Sequence, residues 1–186
     1  KETNIMNPST FATTFAACAI SLFAASGAFA AESVKVETAN TMMLFERKES
    51  GAGERLFLRY YGTKFADTEG ALSVVMRHGK PGSSLGTEEP SAYSVFGDSN
   101  GRLNRFGGLK VTHDDGGTTL DLVVEKIERD GDALKVRWRD AVHEFRVVQH
   151  FRPRPDADMI ETWTELVNGE KGAVRLSRMS SFSFVL

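Results

Sequence analysis

From Val34 onward the apolar residues of this chain recur at every second position, and no stretch after Glu32 repeats them at helical spacing for three turns. Leu134, Val136 and Trp138 alternate with Lys135, Arg137 and Arg139, which predicts a strand with one dry and one wet face. Just upstream, Leu120, Leu122 and Val124 alternate with Asp121 and Val123, and the intervening Arg129-Asp130-Gly131-Asp132 is a hairpin signal. Nearer the start, Val34–Val36 and Thr41–Arg47 flank a turn at Ala39-Asn40, and Leu72–Arg77 reads as a weaker strand. Between Arg55 and Tyr61, Leu56, Leu58 and Tyr60 fall on one face and Arg55, Phe57, Arg59 and Tyr61 on the other. Large side chains on both faces suit a sheet that is covered on most sides. Three further strands follow between Val142 and Leu186, separated by Arg152–Asp156 and Asn168–Gly172, whose Pro, Asn, Asp and Gly supply turn dihedrals. Phe182, Phe184 and Leu186 share a face at period two, so the sequence is expected to stop inside a strand. The pattern predicts an all-β fold, an antiparallel β-sandwich that is incomplete at its C-terminus.

The irregular part is His78–Gly108, long enough to expect a functional loop or an interface. Within it, Gly82-Ser83-Ser84-Leu85-Gly86 has the spacing of a nucleophile elbow, but Pro81 before it and Pro90 after it deny the strand and helix that such an elbow needs. His113-Asp114-Asp115-Gly116 is read as a hairpin turn in preference to a ligand cluster, because adjacent strand residues point to opposite faces. The histidines at 78, 113, 143 and 150 have none of the close spacings of a zinc site, so no metal and no cofactor are expected. Trp138 is expected inside with Leu134 and Val136, since the other face of that strand carries three cations. Trp163 is also expected in the core, the commoner place for a strand tryptophan than a sugar platform.

The first thirty residues change the picture. Phe11–Phe29 carries no charge and Ala28-Phe29-Ala30 ends it with small residues, so residues 1–30 are expected to be a helical signal peptide and residues 31–186 the folded domain, beginning at Ala31. Cys18 lies midway through the apolar run, which argues against a lipoprotein box, and it is the single cysteine of the 186 residues. Secretion or delivery to the periplasm follows as an expectation, with no membrane attachment once the leader is removed. A net charge of −2 gives no basic footprint for nucleic acid.

Several passages also resemble a known family. Glu161-Thr-Trp-Thr-Glu-Leu-Val-Asn-Gly-Glu170, followed by Val174-Arg-Leu-Ser-Arg-Met-Ser-Ser-Phe182, is similar to a strand, Asn-Gly turn and Leu-x-Arg strand of the family 36 α-galactosidases. Tyr93-Ser-Val-Phe-Gly97, Gly108-Leu-Lys-Val-Thr-His-Asp-Asp-Gly116 and Tyr60-Tyr61-Gly62 resemble further passages of the same family in the same order. The resemblance implies a supersandwich-like N-terminal domain of a retaining glycoside hydrolase that acts on terminal α-galactosides. Such an enzyme needs two carboxyl groups about 5 to 5.5 Å apart. In the resembled family both belong to a following (β/α)₈ barrel, one within Lys-Trp-Asp, which is absent here; Trp138-Arg139-Asp140 lies on a strand. The expected catalytic set of this chain is therefore empty, and the fragment alone is expected to be inactive. The resemblance further implies the missing barrel as a partner, homo-oligomers, and a loop near Asn104 and Arg105 whose donors face a carbohydrate, on a neighbouring subunit. From a different class, the alternative is a free-standing β-sandwich that binds carbohydrate or protein.

Overall fold

The computed structural model describes residues 32–50, 53–66, 92, 93, 95 and 107–182. The expected leader, the expected strand at 72–77, the segment 82–86, Asn104, Arg105 and the last four residues lie outside them. Nine strands are described: β1 (Glu32–Glu37), β2 (Thr41–Ser50), β3 (Gly53–Thr63), β4 (Leu109–Thr112), β5 (Leu122–Asp130), β6 (Ala133–Asp140), β7 (Phe145–Arg154), β8 (Met159–Asn168) and β9 (Arg175–Met179). They form three antiparallel groups, ordered β1-β2-β3, β4-β9 and β5-β6-β7-β8. The protein is thus an all-β sandwich, as the alternation predicts.

The inner faces share one core. Val36, Met43, Phe45, Leu56 and Leu58 of the first sheet meet Leu122, Leu134, Val136, Trp138, Phe145, Val147 and Phe151 of the four-stranded sheet, with Leu109 and Val111 of β4 between them. Phe45 and Phe151 touch across the sheets with ring centroids 5.2 Å apart. The β5–β6 connection is a two-residue turn in which Gly131 takes φ +58°, the left-handed value that the first position of such a turn demands. At the same end of that sheet, the β7–β8 turn places Asp158 at φ +48°. Its carboxylate accepts the Thr38 hydroxyl and the Asn40 backbone and side-chain N–H groups, at 3.1 and 3.0 Å for the latter two, tying this turn to the β1–β2 turn.

Three expectations need correction. Tyr60 does not share a face with Leu56 and Leu58: pairing jumps from Leu44↔Tyr60 to Phe45↔Leu58, so Arg59 is the extra residue of a β-bulge and the side chains beyond it swap faces. Tyr60 packs instead with Met42, Leu44 and Phe65 in a second cluster on the other side of the sheet. His113–Gly116 is a tight turn but not a hairpin, since β4 pairs with β9 and not with the strand that follows it. The last described strand ends at Met179, short of Phe182, which turns inward to meet the Phe151 ring edge-on at 5.8 Å, while Phe184 and Leu186 lie outside the described residues. Part of the irregular segment also belongs to the core: Ala92 donates its N–H to Leu56 O at 2.8 Å, and the buried Tyr93 gives its hydroxyl to Ser180 O at 2.7 Å. Burial pushes the Tyr93 phenol up to about 12.

Trp138 is 1% exposed and its indole N–H donates to Gln149 Oε1 at 3.2 Å. Replacing it with alanine should cost about 3 to 5 kcal/mol, because the cavity lies between two sheets that cannot collapse onto it. Urea unfolding checks this, and a loss below about 1 kcal/mol would contradict the packing.

Candidate functional site

Three turns meet at one end of the sandwich and bring together side chains that are far apart in sequence. The first follows β4, where Gly116 N–H donates to His113 O at 3.0 Å and His113 N–H to Gly117 O at 2.8 Å, folding the His113 ring inward. The second follows β6, where Asp140 Oδ2 accepts both the backbone N–H and the Nδ1 of His143, at 2.9 and 2.8 Å. The third joins β8 to β9, where Asn168 Oδ1 accepts Glu170 N–H at 2.9 Å. Gly169 is obligatory there, since a Cβ would come within 2.8 Å of Glu144 O, the carbonyl that its own N–H binds at 2.7 Å.

The two imidazoles stack face to face, centroids 3.6 Å apart and planes 7° from parallel. His113 Nε2 faces the Thr119 carbonyl at 3.0 Å, which can only accept, and its Nδ1 lies 2.7 Å from Glu170 Oε1, a contact that needs a proton between the two atoms. His143 Nε2 lies 3.3 Å from Asp115 Oδ2. Behind the pair, Asp140 Oδ1 accepts Asp121 N–H at 2.7 Å, and the Asp121 carboxylate pairs with Arg55, whose guanidinium also donates to Leu122 O at 3.1 Å.

Ligand atoms of His113, Asp140 and His143 lie within 4.8 Å of one another. The geometry nevertheless fits no metal ion. Each imidazole lone pair lies in its ring plane, so two rings stacked 3.6 Å apart cannot both point at one ion about 2.1 Å from each nitrogen. All four ring nitrogens already face a carboxylate or a carbonyl. Within the cluster, both oxygens of Asp140 and both of Glu170 accept protein hydrogen bonds, and the two side chains are 1% and 4% exposed. Its chemistry is that of a clamp.

No spacing along the chain announced this cluster, whose members come from four separate loops and strand ends. One signal was present: Asp140 continues the parity of Leu134, Val136 and Trp138, and an acid in phase with a core face must have a buried partner. Trp163 contradicts its core reading. It is half-buried on the outer face of the four-stranded sheet, where its ring stacks on His150 at 4.4 Å and the Arg152 guanidinium lies over it at 4.8 Å.

The described residues thus form an all-β antiparallel sandwich with a polar clamp at one end. The glycosyl hydrolase family 36 N-terminal domain profile matches residues 54–186, and the chain belongs to that family. Among solved structures, the fold is similar to the α-galactosidase from Lactobacillus brevis, with TM-score 0.65 and 15% identity over 83% of this chain. It is also similar to the family 36 α-galactosidases AgaA and AgaB from Geobacillus stearothermophilus, with TM-scores 0.63 and 0.62 and identities of 16% and 17%, each over 81% of this chain. At those identities the likeness is one of fold. The chain spans 24% of the Lactobacillus structure, 24% of AgaA and 23% of AgaB. No curated protein matches the sequence.

The clamp makes stability depend on pH. Burial pushes the His143 imidazole down, but the hydrogen bonds and charges of Asp140 and Asp115 outweigh it and hold its pKa above the ordinary value. A raised folded-state pKa means that the contribution of His143 is full below about pH 6.5 and is lost as pH rises through the folded value. Glu170 behaves oppositely: burial pushes it up, but the Asp114 N–H and His113 outweigh that and hold it below the usual carboxylate range. Its contribution is full above about pH 4.3 and is lost as pH falls through the folded value. The urea midpoint should therefore fall between pH 6 and pH 8.5, and the fall should be smaller in His143→Gln. An equal fall in both proteins would show that the clamp carries no such weight.

Proposed function

We propose that this chain serves as the non-catalytic front module of an exported α-galactosidase-like glycoside hydrolase. The observation that carries the reading is the family match over residues 54–186, supported by the α-galactosidases that share the fold. In this reading, terminal α-galactosides of oligosaccharides are hydrolysed on a catalytic barrel that supplies both carboxyl groups, one as nucleophile and one as acid and then base. The sandwich gives that barrel a rigid neighbour and contributes contacts between subunits of a homo-oligomer. The loop bearing Asn104 and Arg105 reaches toward the sugar site of an adjacent subunit, where both residues offer hydrogen-bond donors to hydroxyl groups. The uncharged run Phe11–Phe29 directs export and is removed before Ala31.

The test compares residues 31–186 alone with the product of the gene's complete reading frame on a chromogenic α-galactoside. The reading expects turnover from the complete product only, and a loss there of about tenfold or more in kcat/KM on Arg105→Ala, equivalent to about 1.4 kcal/mol. Turnover by residues 31–186 that a single Asp or Glu substitution abolishes would overturn it. A complete product without α-galactosidase activity would favour a free-standing binding module.

A further inference from the structure

The outer face of the β5–β8 sheet carries a cleft of about 430 Å³ beside the β5–β6 turn, apart from the histidine clamp. Strand register builds its floor: Glu128 pairs with Lys135, Lys135 with His150, and His150 with Trp163, forming one row across four strands. Most charges near this row are satisfied. Glu128 takes Lys126 at 2.9 Å and Arg137 at 2.7 Å, and Arg129 donates to Lys35 O at 2.6 Å. Lys135 differs. It is half-buried and has no hydrogen-bond or ion-pair partner among the described residues. Arg152 lies over Trp163, and its nearest carboxylate, that of Glu161, is at 3.7 Å, longer than a hydrogen bond. The enclosed His150 Nε2 sits 3.0 Å from Glu165 Oε1 without a bonding angle, so it too is unsatisfied. Burial, with Lys135 and Arg137 nearby, outweighs Glu165 and keeps the His150 pKa below its ordinary value.

One ammonium unpartnered among the described residues and one loosely held guanidinium call for a single negative charge. A dianion is disfavoured, because Glu128 and Asp130 line the cleft and Glu161 flanks it. These carboxylates suit a ligand that brings hydroxyl donors. The indole offers an apolar surface to the C–H face of a ring, and the volume lies within the usual range of small-molecule sites. We propose that this cleft binds a saccharide bearing one carboxylate, with Lys135 and Arg152 on the carboxylate, the acids on its hydroxyls and Trp163 against its ring. The site is independent of the hydrolase reading, and α-galactosidase activity or its absence leaves it unaffected.

The chain has two tryptophans, of which Trp138 is buried, so a ligand-induced change in indole emission reports Trp163. The protein is titrated with D-galacturonate, D-galactose and inorganic phosphate by fluorescence and by calorimetry. Galacturonate should bind at one site with millimolar Kd, weaken with added salt, and lose about tenfold or more in Lys135→Met. Galactose and phosphate should each bind at least about tenfold more weakly. Trp163→Phe should abolish the emission change and weaken the calorimetric binding. Absence of galacturonate binding, equal binding of galactose or phosphate, or an unchanged Kd in Lys135→Met would overturn the proposal.

Discussion

A buried guanidinium holds the two sheets in register. Arg55 on β3 is 3% exposed and reaches across the core to the Asp121 carboxylate and the Leu122 carbonyl at the start of β5. The same short segment is gripped from the other side, where Asp140 accepts Asp121 N–H and Ala141 N–H donates to Asp121 O at 2.9 Å. From Asp140 the chain of bonds continues through His143, the stacked His113 and Glu170 to the β8–β9 turn. Removing one partner of such a buried pair costs about 3 to 5 kcal/mol, because the remaining charge stays buried without compensation. That is a large share of the roughly 5 to 15 kcal/mol by which a domain is stable. Surface pairs such as Lys35–Glu37 are worth about 1 kcal/mol or less and do not compete with it.

This polar spine explains how the sandwich keeps one of its ends closed. The apolar core acts without direction between the faces, whereas the turns after β4, β6 and β8 would otherwise present bare backbone groups at the rim. Two stacked rings, each bound at both nitrogens, fill that position and satisfy the backbone of Thr119 and the carboxylates together. The outer sheet face, free of these duties, holds polar and aromatic groups in cross-strand rows.

Much of the fold was legible in the residues, because period-two alternation survives wherever a strand is regular. Leu134, Val136 and Trp138 are buried as their parity requires, and the Asp-Gly signal falls at the β5–β6 turn. The alternation misled at Tyr60, since one bulged residue inverts every face beyond it and leaves no mark in composition. Trp163 misled because residue type was weighed without its partners; only the register reveals His150 beside it and Arg152 above it. The clamp was illegible as a set, since contacts such as His113 with Glu170, 57 residues apart, arise from topology and not from spacing. Asn104 and Arg105 were chosen from the resemblance and lie outside the described residues.

Arg55 and Asp140 act as one unit through the segment they both hold. A double-mutant cycle of Arg55→Met and Asp140→Asn, read by urea unfolding, tests it directly. A single polar spine predicts a coupling energy of about 1 kcal/mol or more. Losses that add to within about 0.3 kcal/mol would show two independent contacts and contradict the account.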